Sequence, residues 1–142
     1  MSSSAATSAA DSGAPAWSDP LNAEAEQQGK LRRYLCILPD YNAAEALQRR
    51  LEVRQQHLDE AARGKKAGRI ELGGALLSKD WDELDDSGPP SALCGSCLIV
   101  LAENITEARE RIARDPYSKA NVWDPAQIQV YPFLQAAQPQ RG

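Results

Sequence analysis

The sequence predicts an α+β domain, and three observations lead there. Short β-favouring runs alternate with helical stripes through the middle of the chain, one run is apolar at nearly every position, and 142 residues suit a single core. The first run, Arg32 to Leu38, is stopped by Pro39-Asp40 and reads as a strand. From Ala43 to about Lys66, Leu47, Leu51, Leu58 and Ala62 recur at helical spacing, and Gly68 is placed to end that helix. Ile70 to Leu77 reads as a second strand. Ser78 to Ser91 is a long polar connection, of the kind that serves as a lid or binding loop.

Leu93 to Leu101 forms the third strand. Asn104 followed by Glu107 resembles a capping box, with Ile105, Ala108 and Ile112 as the apolar stripe of a second helix. Gln127 to Tyr131 alternates polar and apolar residues, a fourth strand closed by Pro132. The order β-α-β-β-α-β is the ferredoxin-like arrangement, an antiparallel sheet with two helices on one face. The third strand lacks polar alternation, which implies that both faces of the sheet are covered. Two helices cover only one face, so the other is expected to meet the sheet of an identical subunit, giving a homodimer.

The flanks differ in composition. Residues 1–30 are rich in Ser, Ala, Asp, Gly and Gln, with little apolar content beyond Trp17 and Leu21. Such a segment buries too little apolar surface to offset the roughly 1–2 kcal/mol per residue of backbone ordering, so a disordered tail is expected. The domain is then 31–134, and 135–142 a shorter flexible tail.

A net charge of −4 and an isoelectric point near 5.0 work against nucleic acid and anionic membrane surfaces, which want clustered Lys and Arg. The longest apolar stretch, Cys97 to Ala102, falls far short of the roughly 20 residues of a membrane span. No basic region followed by an apolar run opens the chain, and an odd count of three cysteines suits a reducing compartment, so a cytoplasmic location is expected.

His57 is the only histidine, and an imidazole can both take and give a proton near working pH. At about 100° per residue, Arg54 falls within the Leu47, Leu51 and Leu58 stripe and His57 at its margin. A guanidinium there needs a partner. The plain reading is a structural salt bridge from Arg54 and a half-exposed helix histidine. Asp115-Pro116 also has two readings. Asp caps a helix whose first position is Pro, as Asp124-Pro125 could do nearby. Alternatively, Asp115 accepts a hydrogen bond from His57 and fixes its tautomer.

Cys94-Gly95-Ser96-Cys97 invites a redox or zinc reading, but residues three apart at the start of a strand point to opposite faces, and too few other ligands remain. No metal is expected. The acidic loop, with Asp80, Asp82, Glu83, Asp85 and Asp86, departs from the calcium-loop pattern and reads as a solvated face. Gly73-Gly74 lies within a strand, where a bulge or close backbone approach at a pocket is the plain account. Trp81, Tyr117, Trp123 and Tyr131 could wall an apolar pocket or simply pack in the core.

Taken in order, Arg54-x-x-His57-Leu58, Gly68-Arg69-Ile70, Gly73-Gly74, Gly95, Ala108, Asp115-Pro116-Tyr117 and Pro132-Phe133 resemble the successive motifs of the YCII-related family, over about Arg32 to Phe133. That resemblance implies a dimeric α+β barrel with a cleft where the family's histidine and aspartate meet, here His57 and Asp115 with Arg54 beside them. It also implies likeness to small cofactor-free isomerases, lyases and dehydratases, with fungal members in natural-product pathways. The tail and the enlarged acidic loop depart from the family.

The expectation is a cofactor-independent enzyme moving protons on a small organic molecule, by dehydration, elimination, isomerisation or cyclisation. His57 would be base and then acid, Asp115 its orienter, and Arg54 the stabiliser of a developing oxyanion. Gly73, Gly74, Tyr117, Trp81 and Trp123 would bind the substrate. The alternative is a non-catalytic binding protein or accessory dimer that partners a pathway enzyme. An RNA-binding domain of the same topology is disfavoured by the acidic balance.

Overall fold

Burial alternates strictly along the first strand, where Tyr34, Cys36 and Leu38 are buried while Leu35 and Ile37 are only half so. This is the pattern of a sheet with helices on one side. The computed structural model describes residues 13–137. Its elements are α1 (Ala23–Gln27), β1 (Arg32–Pro39), α2 (Ala46–Ala67), β2 (Ile70–Leu77), β3 (Leu93–Ala102), α3 (Ile105–Arg114), α4 (Pro116–Lys119) and β4 (Gln129–Pro132). The strands form one antiparallel sheet in the order β2-β3-β1-β4, the ferredoxin-like α+β arrangement.

Register sorts the side chains into two faces. Ile70 opposite Val100, Gly73 opposite Leu98, Cys36 opposite both Leu98 and Val130, and Tyr34 opposite Val100 lie under the helices. All of these but Gly73, together with Trp17, Ala108, Ile112, Tyr117, Val122 and Trp123, make the core. The other face carries Leu72, Ile99, Leu35 and Tyr131 in successive pairings, with Ile37 and Cys97 beside them. On it Leu72 is 57% and Tyr131 50% exposed, and Leu35, Ile37, Cys97 and Ile99 are half-buried.

Local chemistry accounts for most boundaries. α2 ends where Gly68 takes φ +86°, the left-handed conformation that a glycine adopts without steric cost. The Asn104 side chain accepts from the Glu107 backbone at 2.8 Å, while Glu107 reaches back to the amide of Glu103 rather than that of Asn104. α2 starts at Ala46, later than the periodicity suggested, and Glu45 makes no side-chain cap.

Two expectations are corrected. First, the inward stripe of α2 is not the leucine stripe. Ala46, Arg50, His57, Ala61 and Gly64 are buried, whereas Leu51 and Leu58 are 43% and 40% exposed. The two stripes are about 100° apart on the helix. Small residues let α2 approach its neighbours, and the charged residue that goes inward, Arg50, is paired. Second, the segment from Gly13 to Lys30 is not a loose tail. Trp17 is fully buried, and α1 forms with the Asn22 side chain accepting from the Ala25 amide. Composition hid this because one indole and one well-paired aspartate, Asp19, do the anchoring. Residues 1–12 and 138–142 lie outside the described residues, so the expectations placed on them do too.

Candidate active site

α2 and the short loop before α4 bring His57 and Asp115 together across 58 positions of sequence. Nδ1 of His57 lies 2.8 Å from Asp115 Oδ1 and 3.1 Å from Oδ2. Asp115 is completely buried and carries two further donors. The Tyr117 amide donates to Oδ1 at 2.8 Å, and Trp17 Nε1–H donates to Oδ2 at 2.8 Å. The two readings of Asp115-Pro116 therefore both hold: the carboxylate caps α4, with Pro116 at the first helical position, and also meets the imidazole.

An ionised carboxylate only accepts hydrogen bonds, so this contact assigns the proton to Nδ1 of His57 and leaves Nε2 as the acceptor nitrogen of the neutral ring. Among the described residues Nε2 has no protein hydrogen-bond partner, and it is not among the sealed, unpartnered atoms. The ring plane is fixed by packing. Tyr117 stacks on His57 at 4.0 Å and 18°, and Trp123 meets it edge-on at 5.8 Å.

Behind Tyr117 lies a second buried cluster, one that sequence reasoning missed. The Arg50 guanidinium sits 4.4 Å from the centre of the Tyr117 ring, pairs with Asp40 at 2.7 Å, and donates to Ser96 Oγ at 2.8 Å. Trp123 Nε1–H also reaches Ser96, at 3.1 Å. Among the described residues, Asp40 Oδ2 and Arg50 Nε have no hydrogen-bond partner. Burial pushes the Asp40 carboxyl above its ordinary range, against the pull of Arg50. Burial likewise raises the Tyr117 phenol, with Arg50 and Arg54 opposing. The available signal was the interval of seven from Arg50 to His57, two turns on one face, which the leucine spacing concealed.

A cleft of about 330 Å³ opens between α2 and strands β2 and β3. Arg50, Arg54, His57, Lys65, Ser96 and Tyr117 supply its polar wall, and Leu58, Ile70, Gly73, Gly74 and Leu98 are among the apolar residues that line it. A Cβ at Gly73 would come within 2.9 Å of Leu98 Cδ2, so a side chain there would have to displace the tip of Leu98 in the cleft wall. Arg54 is half-buried on the rim and, among the described residues, makes no ion pair or hydrogen bond; the structural bridge expected of it belongs to Arg50.

Two aromatics anticipated at the pocket are elsewhere. Trp81 is 72% exposed on the acidic loop, and no residue of 78–91 lines the cleft. The Asp80 and Glu83 side chains, which cap the turn at Trp81–Glu83, hold the loop locally without drawing it inward. Trp123 stands behind the His57–Tyr117 stack and faces a separate cavity of about 300 Å³, lined by Tyr41, Arg109, Ile112 and Ile128 among others. Cys36 is buried, its thiol pushed up to about 12 by desolvation, while Cys94 is exposed and Cys97 half-buried. Among the described residues no three His, Cys, Asp or Glu side chains form a metal-holding group, and no helix is long and apolar enough to cross a membrane.

The chain is 32% identical over 104 residues to fusaric acid biosynthesis protein 2 of Gibberella fujikuroi, a match covering 73% of this chain and 94% of that protein. It is 33% identical over 104 residues to the aspartate kinase FUB3 of Fusarium oxysporum f. sp. lycopersici, again 73% of this chain but only 18% of that much longer protein. Among solved structures it is similar to 5-chloro-2-hydroxyhydroquinone dehydrochlorinase (TftG) of Burkholderia phenoliruptrix AC1100 in complex with 2,5-dihydroxybenzoquinone. That likeness has a TM-score of 0.60 and 25% identity, and covers 73% of this chain and 95% of that one. The model of the YCII-related domain matches residues 33–133, which span β1 to β4 and include both His57 and Asp115, and the chain therefore belongs to the YCII-related family.

Proposed function

We propose that the chain is a cofactor-independent enzyme that moves a proton on a small hydroxylated or enolisable compound, as a tailoring step in secondary metabolism. The observation that carries this reading is the buried Asp115–His57 pair with Nε2 left to the cleft. Nε2 takes a proton from an acidic O–H or C–H of the substrate. The electron pair released shifts toward the neighbouring carbon and expels a leaving group, such as halide or hydroxide, or else returns at another carbon in an isomerisation. The imidazolium then gives its proton to the departing hydroxide or to the new carbon of the isomer, and where halide leaves as the free anion it returns the proton to solvent. Asp115 stabilises the imidazolium through Nδ1–H, and the Arg54 guanidinium on the rim lowers the energy of negative charge developing on a substrate oxygen.

The similar dehydrochlorinase and the fusaric acid relative support this chemistry and its setting. We further propose that the open apolar face of the sheet, with Leu72, Ile99 and Tyr131, is buried in a homodimer. The match to a small part of a much longer kinase favours a second reading, a ligand-binding module that serves another enzyme. The two part on one assay. Purified full chain is offered a panel of halogenated and hydroxylated quinols, and turnover is compared with that of His57→Ala. Catalysis predicts a loss of roughly 10²- to 10⁴-fold with the fold unchanged. Binding without turnover favours the module, and a His57→Ala rate equal to wild type rules out the catalytic role.

A further inference from the structure

Trp17 lies outside the region that matches the family, which begins at residue 33, yet it makes a direct hydrogen bond to the carboxylate at the centre of the site. Its indole is fully buried, and Nε1–H donates to Asp115 Oδ2 at 2.8 Å. Oδ1 is already shared by the Tyr117 amide and His57, so without the indole Oδ2 keeps only the longer 3.1 Å approach of Nδ1. A buried acceptor left without its donor carries a desolvation penalty, which rotation of the carboxylate toward another donor would relieve.

The segment carrying Trp17 is fastened on both sides of it. The amides of Trp17 and Ser18 donate to Glu60 Oε2 at 2.8 and 3.0 Å. Arg111 donates to the carbonyl of Ala16 at 3.0 Å and grips both oxygens of Asp19 at 2.6 and 3.0 Å. Arg69 donates to the Asp19 carbonyl at 2.6 Å and to its carboxylate at 3.1 Å. α2 carries a glycine where this segment crosses it, since a Cβ at Gly64 would stand 2.5 Å from the Cβ of Trp17. A glycine inside a helix is otherwise unfavourable, so its presence fits a close approach.

We infer that Trp17 is a positioning residue: the strap 16–20 closes the back of the His57–Asp115 pair, and its indole fixes the plane of the carboxylate and with it the Nδ1–H tautomer of His57. The structural part of this inference stands alone, while its kinetic part rests on the catalytic reading above.

The test uses full-length chain labelled with ¹⁵N-histidine, whose two ring-nitrogen signals can come only from His57. On the neutral ring, wild type is expected to show the Nδ1–H tautomer alone. Trp17→Phe keeps the bulk but cannot donate, and is expected to show both tautomers. Its kcat should fall roughly ten- to hundredfold, the loss equivalent to one hydrogen bond to a charged group, with KM changed by less than about twofold. Asp19→Ala, which unfastens the strap without touching the pair, should move the tautomer signals the same way.

A Trp17→Phe variant with one tautomer and the wild-type kcat overturns the inference. So does loss of cooperative melting in both variants, which would make the strap a folding element only. If the tautomers mix in Trp17→Phe while His57→Ala turns over like wild type, positioning stands and the catalytic reading falls.

Discussion

Replacing Arg50 with Met tests which face of α2 turns inward, and does so without a substrate. The Arg50 and Asp40 side chains are 3% and 5% exposed and meet at 2.7 Å, so solvent screens the pair little. Removing one partner of such a pair leaves the other charge uncompensated, at a cost of about 3–5 kcal/mol. Part of that cost is avoided when Asp40 takes up a proton. Its carboxyl is already held above the ordinary range by burial, with Arg50 pulling it down, so loss of Arg50 raises it further. A carboxyl whose folded-state pKa exceeds its unfolded value binds more protons when folded. Stability then falls as pH rises from the unfolded value, near about 4, through the raised folded value.

Arg50→Met should therefore be about 3 kcal/mol less stable than wild type near neutrality, and should recover part of that loss at about pH 5. For a domain of this size such a loss corresponds to a melting point lower by roughly 10 °C. Urea denaturation at the two pH values measures both effects, and Asp40→Asn combined with Arg50→Met should remove the added pH dependence. Equal stability of Arg50→Met and wild type at both pH values would refute the placement of this face of α2 against the core.

Asp115→Asn replaces one acceptor oxygen with an NH₂ group. In either orientation that NH₂ meets a group that now donates to the carboxylate, Trp17 Nε1–H at Oδ2 or the Tyr117 amide and His57 Nδ1–H at Oδ1, and the uncharged amide no longer stabilises an imidazolium, so turnover is expected to fall by roughly 10²- to 10⁴-fold while circular dichroism is unchanged. Gly64→Ala drives a methyl into Trp17 and should cost about 1–3 kcal/mol in chemical denaturation; an unshifted midpoint would contradict the docked strap. Leu72→Glu puts a charge on the open face of the sheet and should convert a dimer to a monomer in light scattering, whereas a wild-type chain that is already monomeric would end the dimer proposal.

Much of the fold is readable because local chemistry and topology agree. The strand runs, the stop at Gly68 and the cap at Asn104 each stand on a short-range cause, and together they dictate the order β-α-β-β-α-β. Leucine spacing misdirected the reading of α2, since hydrophobic periodicity assumes that charges stay outside. Arg50 is buried because a residue ten positions earlier, Asp40, neutralises it, and His57 because Asp115 meets it. Neither pairing leaves a trace in periodicity. Asp115-Pro116 offered a cap or a partner for the histidine, and the geometry gives both, because a carboxylate has room for several donors. Trp17 was invisible for a different reason. Average composition measures how much apolar surface a segment has, and this segment is held by one indole, two backbone amides on Glu60 and the ion pairs of Asp19, whose partners lie 42 to 98 positions away. Trp81 shows the converse, a large aromatic in a loop whose turn is satisfied by its own acidic side chains.

The most direct test of the central claim is a crystal structure of the chain soaked with 2,5-dihydroxybenzoquinone, the compound bound in the similar dehydrochlorinase. The ring is expected in the cleft between α2 and β2, with one oxygen about 2.6–3.2 Å from His57 Nε2 and another facing Arg54, while Nδ1 stays on Asp115. A ligand bound instead in the cavity beyond Trp123, beside Tyr41 and Arg109, with the cleft at His57 empty, would contradict it.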